Sequence, residues 1–212
     1  MRRRPLLLAL AMSLGVTAVA AAQNPGLPVY NNGVGTGIQL QAEAGFPNTD
    51  AGKGTAYGLT GELGLGPLGV SATVSNYDPK NGSSHTSFGG TVNFKVFGGP
   101  LIPFAITLQG GAAHTDLGTF TMWRFPVGVG LTATIPTTVV AIHPWIAPRL
   151  DVVRISNGSS NTDSNFGISG GIDFNLLSGL GFSVAYDRVT VDGASPAVIG
   201  VGVHYAIKVP GL

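Results

Sequence analysis

A chain of 212 residues with 33 glycines, 10% charged residues and a mean hydropathy of +0.33 lacks the charge that covers a water-soluble domain, where about a quarter of residues are charged. A net charge of +1, with no basic run beyond the first residues, removes the electrostatic footing for a nucleic-acid partner. The absence of cysteine excludes disulfides and a lipid-modified cysteine anchor.

In chain order the first element is a secretory signal, expected over Met1–Ala22. Arg2, Arg3 and Arg4 form its basic head, Leu6 to Ala20 its apolar stretch, and Ala20-Ala21-Ala22 before Gln23 the small residues a signal peptidase needs. No other apolar run is long enough for a membrane-spanning helix. Gln23–Val34, with two prolines and the pair Asn31-Asn32, reads as a periplasmic leader or a partial plug. The remainder, Gly35–Leu212, is expected to form one barrel domain.

From Gly35 to Lys208 large apolar residues alternate with small or polar ones, the period of a strand with two unlike faces. Candidate strands are Thr36–Phe46, Ala56–Leu65, Leu68–Tyr77, Ser87–Phe97, Phe104–His114, Trp123–Ile135, Val140–Val153, Phe166–Leu176, Leu180–Val189 and Ala197–Lys208. Most have the nine to eleven residues with which a tilted strand crosses a bilayer. Polar segments at Pro47–Thr55, Asp78–Thr86, Thr115–Met122, Arg154–Asn165 and Thr190–Pro196 alternate with tight links near Gly66-Pro67, Gly98–Pro103, Pro136–Thr138 and Leu177–Gly179. That alternation predicts an all-β, closed antiparallel transmembrane barrel of about ten strands, with short periplasmic turns and longer extracellular loops. An eight-stranded barrel, with one hairpin misread, is the alternative.

A soluble β-sandwich shares the alternation, with its apolar face as the core. The polar face here is mostly Gly, Thr, Ser and Ala, which suits a crowded lumen better than a wetted surface. Aromatic residues add a second argument, because membrane barrels carry aromatic girdles at both interfaces. Phe46, Tyr57, Tyr77, Phe88, Trp123, Phe125, Phe166 and Tyr186 fall near the long loops, and Phe94, Phe97, Phe104, Phe174, Phe182 and Tyr205 near the turns. Pro126, Pro144 and Pro148 each remove a ladder hydrogen bond or mark a bulge.

The inner face is expected to carry Glu43, Glu62, Asp151, Asp173 and Asp187 with Lys95, Arg124, Arg149 and Lys208, so near-neutral pairing is available. Register set by the turn near Thr137 predicts an Arg124–Asp151 contact. Inner glycines at Gly58, Gly64, Gly89, Gly128, Gly130, Gly167, Gly171 and Gly202 free volume in a ten-stranded lumen, which lies near the closed limit.

The rhythm, together with phrases such as Phe166-Gly-Ile-Ser-Gly-Gly-Ile-Asp-Phe174, resembles the small outer-membrane β-barrel proteins of Gram-negative bacteria. The resemblance implies residence in the outer membrane, lipid along the outer face, and the barrel-assembly machinery as a partner in biogenesis. Such proteins commonly end on an aromatic residue; this chain ends Val209-Pro210-Gly211-Leu212, although Val203, Tyr205 and Ile207 keep the alternation. Arg154-Ile-Ser-Asn157 is similar to the His-x-Ser-Asn stretch of outer-membrane lipid A deacylases, with Arg154 where the catalytic histidine stands. Without an imidazole there, proton transfer has no evident agent, and Ser156 reads as a loop residue.

His85-Thr86-Ser87 lacks an orienting acid, and His114 with Asp116 lacks a second carboxylate pair. His85, His114, His143 and His204 are too scattered to preorganise a metal site. No enzyme, cofactor or metal is therefore expected. The expected role is structural or passive, with a lumen filled by side chains. Alternatives are a narrow pore for water, ions or small solutes, and a surface adhesin acting through the outer loops. Oligomeric state is left open.

Overall fold

The computed structural model describes residues 24–99, 101–207 and 209; the expected secretory signal, Lys208 and the final residues lie outside them. Ten antiparallel strands follow one another around a cylinder: β1 Gly37–Pro47, β2 Gly54–Leu65, β3 Leu68–Pro79, β4 His85–Gly99, β5 Ile102–Asp116, β6 Thr121–Ala133, β7 Val140–Asn157, β8 Ser159–Leu176, β9 Leu180–Thr190 and β10 Ala197–Ile207. The two residues Ile135–Pro136 prolong β6, pairing with Ile142 and Ala141 of β7. Each strand pairs with its sequence neighbours, and β1 closes the ring on β10 from Ile38 opposite Ile207 to Pro47 opposite Val198. Closure leaves no sheet edge and rules out both the two-sheet sandwich and the eight-stranded count.

The two faces are inverted relative to a soluble protein. Leu40, Leu59, Phe88, Val127 and Leu150 stand 58–62% exposed on the outside, while Gln41, Thr91, Asn93, Thr107, Gln109 and Arg124 are buried inside. An exposed apolar surface wrapping a whole molecule is tenable only in a nonpolar solvent.

The prolines interrupt pairing without shifting it. Between β5 and β6 the ladder lapses beside Pro126, yet Gly110 opposite Val127 and Ala113 opposite Arg124 share one register. Between β6 and β7 it lapses beside Pro148, with Gly128 opposite Arg149 and Leu131 opposite Ile146 again in one register. The missing N–H is therefore absorbed as a gap rather than a bulge. A true irregularity occurs near the end of β4, around Phe97.

One expected loop is a correction. Arg154–Asn165 is ladder, not loop: β7 and β8 remain paired up to Asn157 opposite Ser159, turning over Gly158 at φ +69°. Ser, Asn, Thr and Asp give no apolar alternation, but a hairpin that projects beyond lipid needs none, and hydroxyl and amide side chains tolerate the extended backbone. The other segments at that end are links of a few residues. Asn48 and Asp50 of the first accept hydrogen bonds from the Ala197 and Ser195 N–H groups of the last, drawing the two together over the rim.

Candidate functional site

The lumen holds the chain's own N-terminal segment. Residues 24–34, within the Gln23–Val34 stretch for which the sequence leaves a periplasmic leader or a partial plug open, run inside the cylinder and lead through Gly35 and Thr36 into β1, with Asn24, Leu27, Val29 and Asn31 at 1–2% exposure. Three long-range hydrogen bonds fasten it. The Val29 N–H donates to Asp187 Oδ2 at 2.9 Å, Asn32 Nδ2 donates to Asp173 Oδ2 at 2.9 Å, and Gln109 Nε2 donates to the Tyr30 carbonyl. The Tyr30 ring packs on Trp145 with centroids 5.8 Å apart.

Inner-face glycines make the room. A Cβ at Gly58 would press on Leu27, one at Gly130 on Asn31, and one at Gly200 on Pro28. The volume freed by glycine is thus filled by the segment rather than left as an open channel.

The β6–β9 wall carries a closed charge network. Arg124 grips Asp151 through Nε at 3.1 Å and Nη2 at 2.6 Å, the two-pronged geometry in which guanidinium binds carboxylate best. Arg149 donates from Nε to Asp151 at 2.9 Å and from Nη2 to Asp187 at 2.8 Å. Two arginines and two aspartates cancel, and Asp187 passes the chain of contacts on to Val29. Arg149 spans from β7 to β9 across the intervening β8. Gly167 allows this: a Cβ there would lie 2.7 Å from Asp151 Oδ2 and 2.8 Å from Arg149 Cζ.

The β1–β4 wall is different. Glu43 accepts a 3.4 Å hydrogen bond from Thr60, with the Tyr30 hydroxyl and the Gln41 amide also beside its carboxylate, and hydroxyl pairs Thr60–Thr73 and Ser71–Thr91 line the surface next to it at 2.8 and 2.7 Å. Glu62, Asp173 and Lys95 also face inward, but among the described residues the ion pairs are confined to Arg124, Arg149, Asp151 and Asp187. The expected general pairing of acids with bases is therefore corrected to a four-residue cluster. Lys208 lies outside the described residues.

A cavity of about 50 Å³ lies between the segment and this wall, bordered by Glu43, Glu62, Thr60, Asn93 and Tyr30. A wider mouth of about 390 Å³ opens beside it toward the turn end, lined in part by Lys95, Asp173, His143, Asn175 and His204. Asn175 bridges the two imidazoles, with His204 Nε2 at 2.6 Å and His143 Nδ1 at 3.1 Å.

Toward the loop end the enclosed surface turns apolar. Leu27, Ala56 and Tyr77 cluster there, and Met122, Val153 and Val189 are buried. Tyr77 is thus a correction to the girdle set: it points inward opposite Ala56, and its hydroxyl donates to the Ala51 and Lys53 carbonyls. Strand parity decides it, because Val70 and Val74 take the outer face and Tyr77 falls on the other. Phe46, Tyr57, Phe88, Trp123, Phe125, Phe166 and Tyr186 are outward at the loop end; Phe94, Phe97, Phe104, Phe182 and Tyr205 are outward at the turn end, and Phe174 is half-buried. Trp123 stacks on Phe125 and tilts against His114. Ser87 Oγ is paired with Thr115 at 2.7 Å, and Asp116 accepts from the Gly118 N–H.

Sequence reasoning missed Val29, Tyr30, Asn32, Gln109 and Trp145 as lumen-filling contacts. The inner glycines were the usable signal, since a run of side-chain-free positions around one level asks what occupies the space.

No family model and no curated protein matches the chain. Solved structures do. The β-domain of the Bordetella autotransporter BrkA is 12% identical with a TM-score of 0.52, covering 80% of this chain and 98% of its own. Neisserial surface protein A is 12% identical with a TM-score of 0.43, covering 81% and 98%. The translocator domain of the autotransporter NalP from Neisseria meningitidis is 12% identical with a TM-score of 0.42, covering 96% and 98%. At such identities the likeness to the BrkA β-domain is one of fold, that of outer-membrane barrel architecture.

Proposed function

We propose that this chain is an integral barrel of a Gram-negative outer membrane, of structural or passive role, closed at rest by its own N-terminal segment. One observation carries the reading: residues 24–34 thread the lumen and are hydrogen-bonded to its wall at Asp187, Asp173 and Gln109. A ten-stranded cylinder already lies near the size that side chains fill, and an irregular insert takes up what the glycines leave. Outer-membrane lipid contacts the apolar outside, the turn end faces the periplasm, and the barrel-assembly machinery inserts the chain. The reading assigns no catalytic step.

Planar-bilayer recording of the mature chain tests it. Electrical silence at moderate voltage agrees with a closed barrel, and discrete steps from the unaltered chain would contradict it. The mouth that runs into the smaller cavity favours one second reading, a narrow path for water or small ions along the β1–β4 wall. Steps that persist with the segment fixed in place would select that path.

A further inference from the structure

We infer that the outer face between β2 and β7 holds one phosphate-bearing lipid, its headgroup at Arg154 and His114 and one acyl chain in a groove that descends from β5 to β2. The site rests on the membrane-barrel reading, whose lipid contact it makes specific. A lone guanidinium sets its chemistry. Arg124 and Arg149 are engaged by Asp151 and Asp187, and Arg188 donates to Ser195. Arg154 stands exposed on β7, and its side chain forms no hydrogen bond or ion pair among the described residues.

Register sets Arg154 opposite Trp123 on β6, and Trp123 opposite His114 on β5. Side chains so paired share one face, with Cβ atoms about 4.5–5.5 Å apart. The His114 ring tilts on Trp123 with centroids 4.8 Å apart, and Trp123 stacks on Phe125 at 6.1 Å. This indole marks the lipid boundary at the loop end, where aromatic side chains gather. At that level a guanidinium presents a planar fork of N–H donors that matches phosphate, and a neutral imidazole still offers one N–H. Hydroxyls join them on the same face, Thr162 opposite Arg154 and Thr121 opposite Ser156. Asp116, two residues beyond His114, is tied to its own turn by the Gly118 N–H. Asp163 falls on the other face of the hairpin and is held by Asn161.

Relief below the headgroup supplies the rest. Gly61, Ala72, Gly90 and Ala112 are direct cross-strand partners, so one row of small residues crosses the outer face from β2 to β5. Leu59, Val74 and Phe88 bank it on the loop side, and that bank ends on His114. Ala112 lies near the loop end of β5 and Gly61 near the turn end of β2, so the row descends away from the headgroup. Its lower part opens into an apolar groove of about 780 Å³, lined in part by Leu40, Gly61, Ala72, Phe88 and Tyr205. Three inter-strand steps span roughly 14 Å, a reach that suits one acyl chain running obliquely into a leaflet about 15 Å deep. A guanidinium alone accepts any anion. The groove restricts it to an anion that carries a tail.

Calorimetric titration of the folded mature chain in an uncharged detergent with dioctanoyl phosphatidic acid tests the site, with dioctanoylglycerol and inorganic phosphate as comparison probes. The expected result is saturable one-to-one binding of the phosphatidic acid, with each comparison probe, lacking either phosphate or tails, at least about tenfold weaker. Arg154→Gln should weaken binding about tenfold by removing the charge. Ala72→Leu should weaken it by filling the groove, and Arg188→Gln, which removes an equal charge elsewhere at the loop end, should leave it unchanged. Absence of saturable binding, a comparison probe as tight as the phosphatidic acid, parent affinity in Arg154→Gln or Ala72→Leu, or an equal loss in Arg188→Gln would overturn the site. Should Ala72→Leu fail to fold, Arg154→Gln on the projecting hairpin decides alone. A chain that folds in detergent yet binds no phosphatidic acid loses this site and keeps its barrel; one that stays a compact monomer in buffer without detergent loses the barrel.

Discussion

The two halves of the lumen wall solve the burial of polar groups in opposite ways. Across β6–β9, Arg124, Asp151, Arg149 and Asp187 neutralise one another and reach the backbone of the threaded segment. Across β1–β4, Glu43 and Glu62 face hydroxyls and a cavity and form no ion pair among the described residues. A buried charge network is costly to break because the surviving partner is stranded, whereas an unpaired carboxylate has little to lose. One wall anchors the segment, and the other holds its carboxylates without an ion pair among the described residues.

Mutation should expose that asymmetry. Asp151→Asn strands the buried Arg124 guanidinium and leaves Arg149 with Asp187 alone, and we expect a loss of about 3–5 kcal/mol, read as a large fall in the melting temperature of the folded band in detergent. Gly167→Val inserts side-chain volume where Arg149 crosses β8, at an expected cost of about 1–3 kcal/mol by the same assay. Gly200→Leu presses on Pro28 and should push the segment aside; conductance steps absent from the parent chain are the expected readout. On the opposite wall Glu43→Gln should shift stability by no more than about 1 kcal/mol in either direction, since an amide keeps the neutral contacts and no ion pair among the described residues is at stake. Asp163→Asn, exposed on the β7–β8 hairpin, should stay within about 0.5 kcal/mol. Equal losses from Asp151→Asn and Glu43→Gln would erase the distinction between the walls.

Much of the architecture was legible because a strand's period is two and a barrel turns every strand the same way. Leu40 and Gln41, or Val127 and Gly128, declare their faces without reference to any partner. The Arg124–Asp151 contact was legible for the same reason: a short link after β6 leaves one register. Tyr77 was misplaced by reading its position along the chain while ignoring its parity. The outer half of the β7–β8 hairpin was hidden because Ser160, Thr162 and Ser164 carry no apolar alternation once the strand leaves lipid. The threaded segment stayed undecided between leader and plug for a deeper reason. Its contacts, Val29 with Asp187 and Tyr30 with Gln109, join residues far apart in sequence through backbone groups, and backbone groups leave no signature in side-chain composition.

A chain without native cysteine permits a direct test of that segment's position. The Asn32 and Asp173 side chains meet at 2.9 Å, so this pair joins segment to wall without adding volume at a glycine. In the folded mature chain carrying Asn32→Cys and Asp173→Cys, a short thiol-reactive cross-linker should join the two positions within one molecule and protect both thiols from alkylation. Free alkylation of both thiols in the folded barrel would place the segment outside the cylinder and contradict the account.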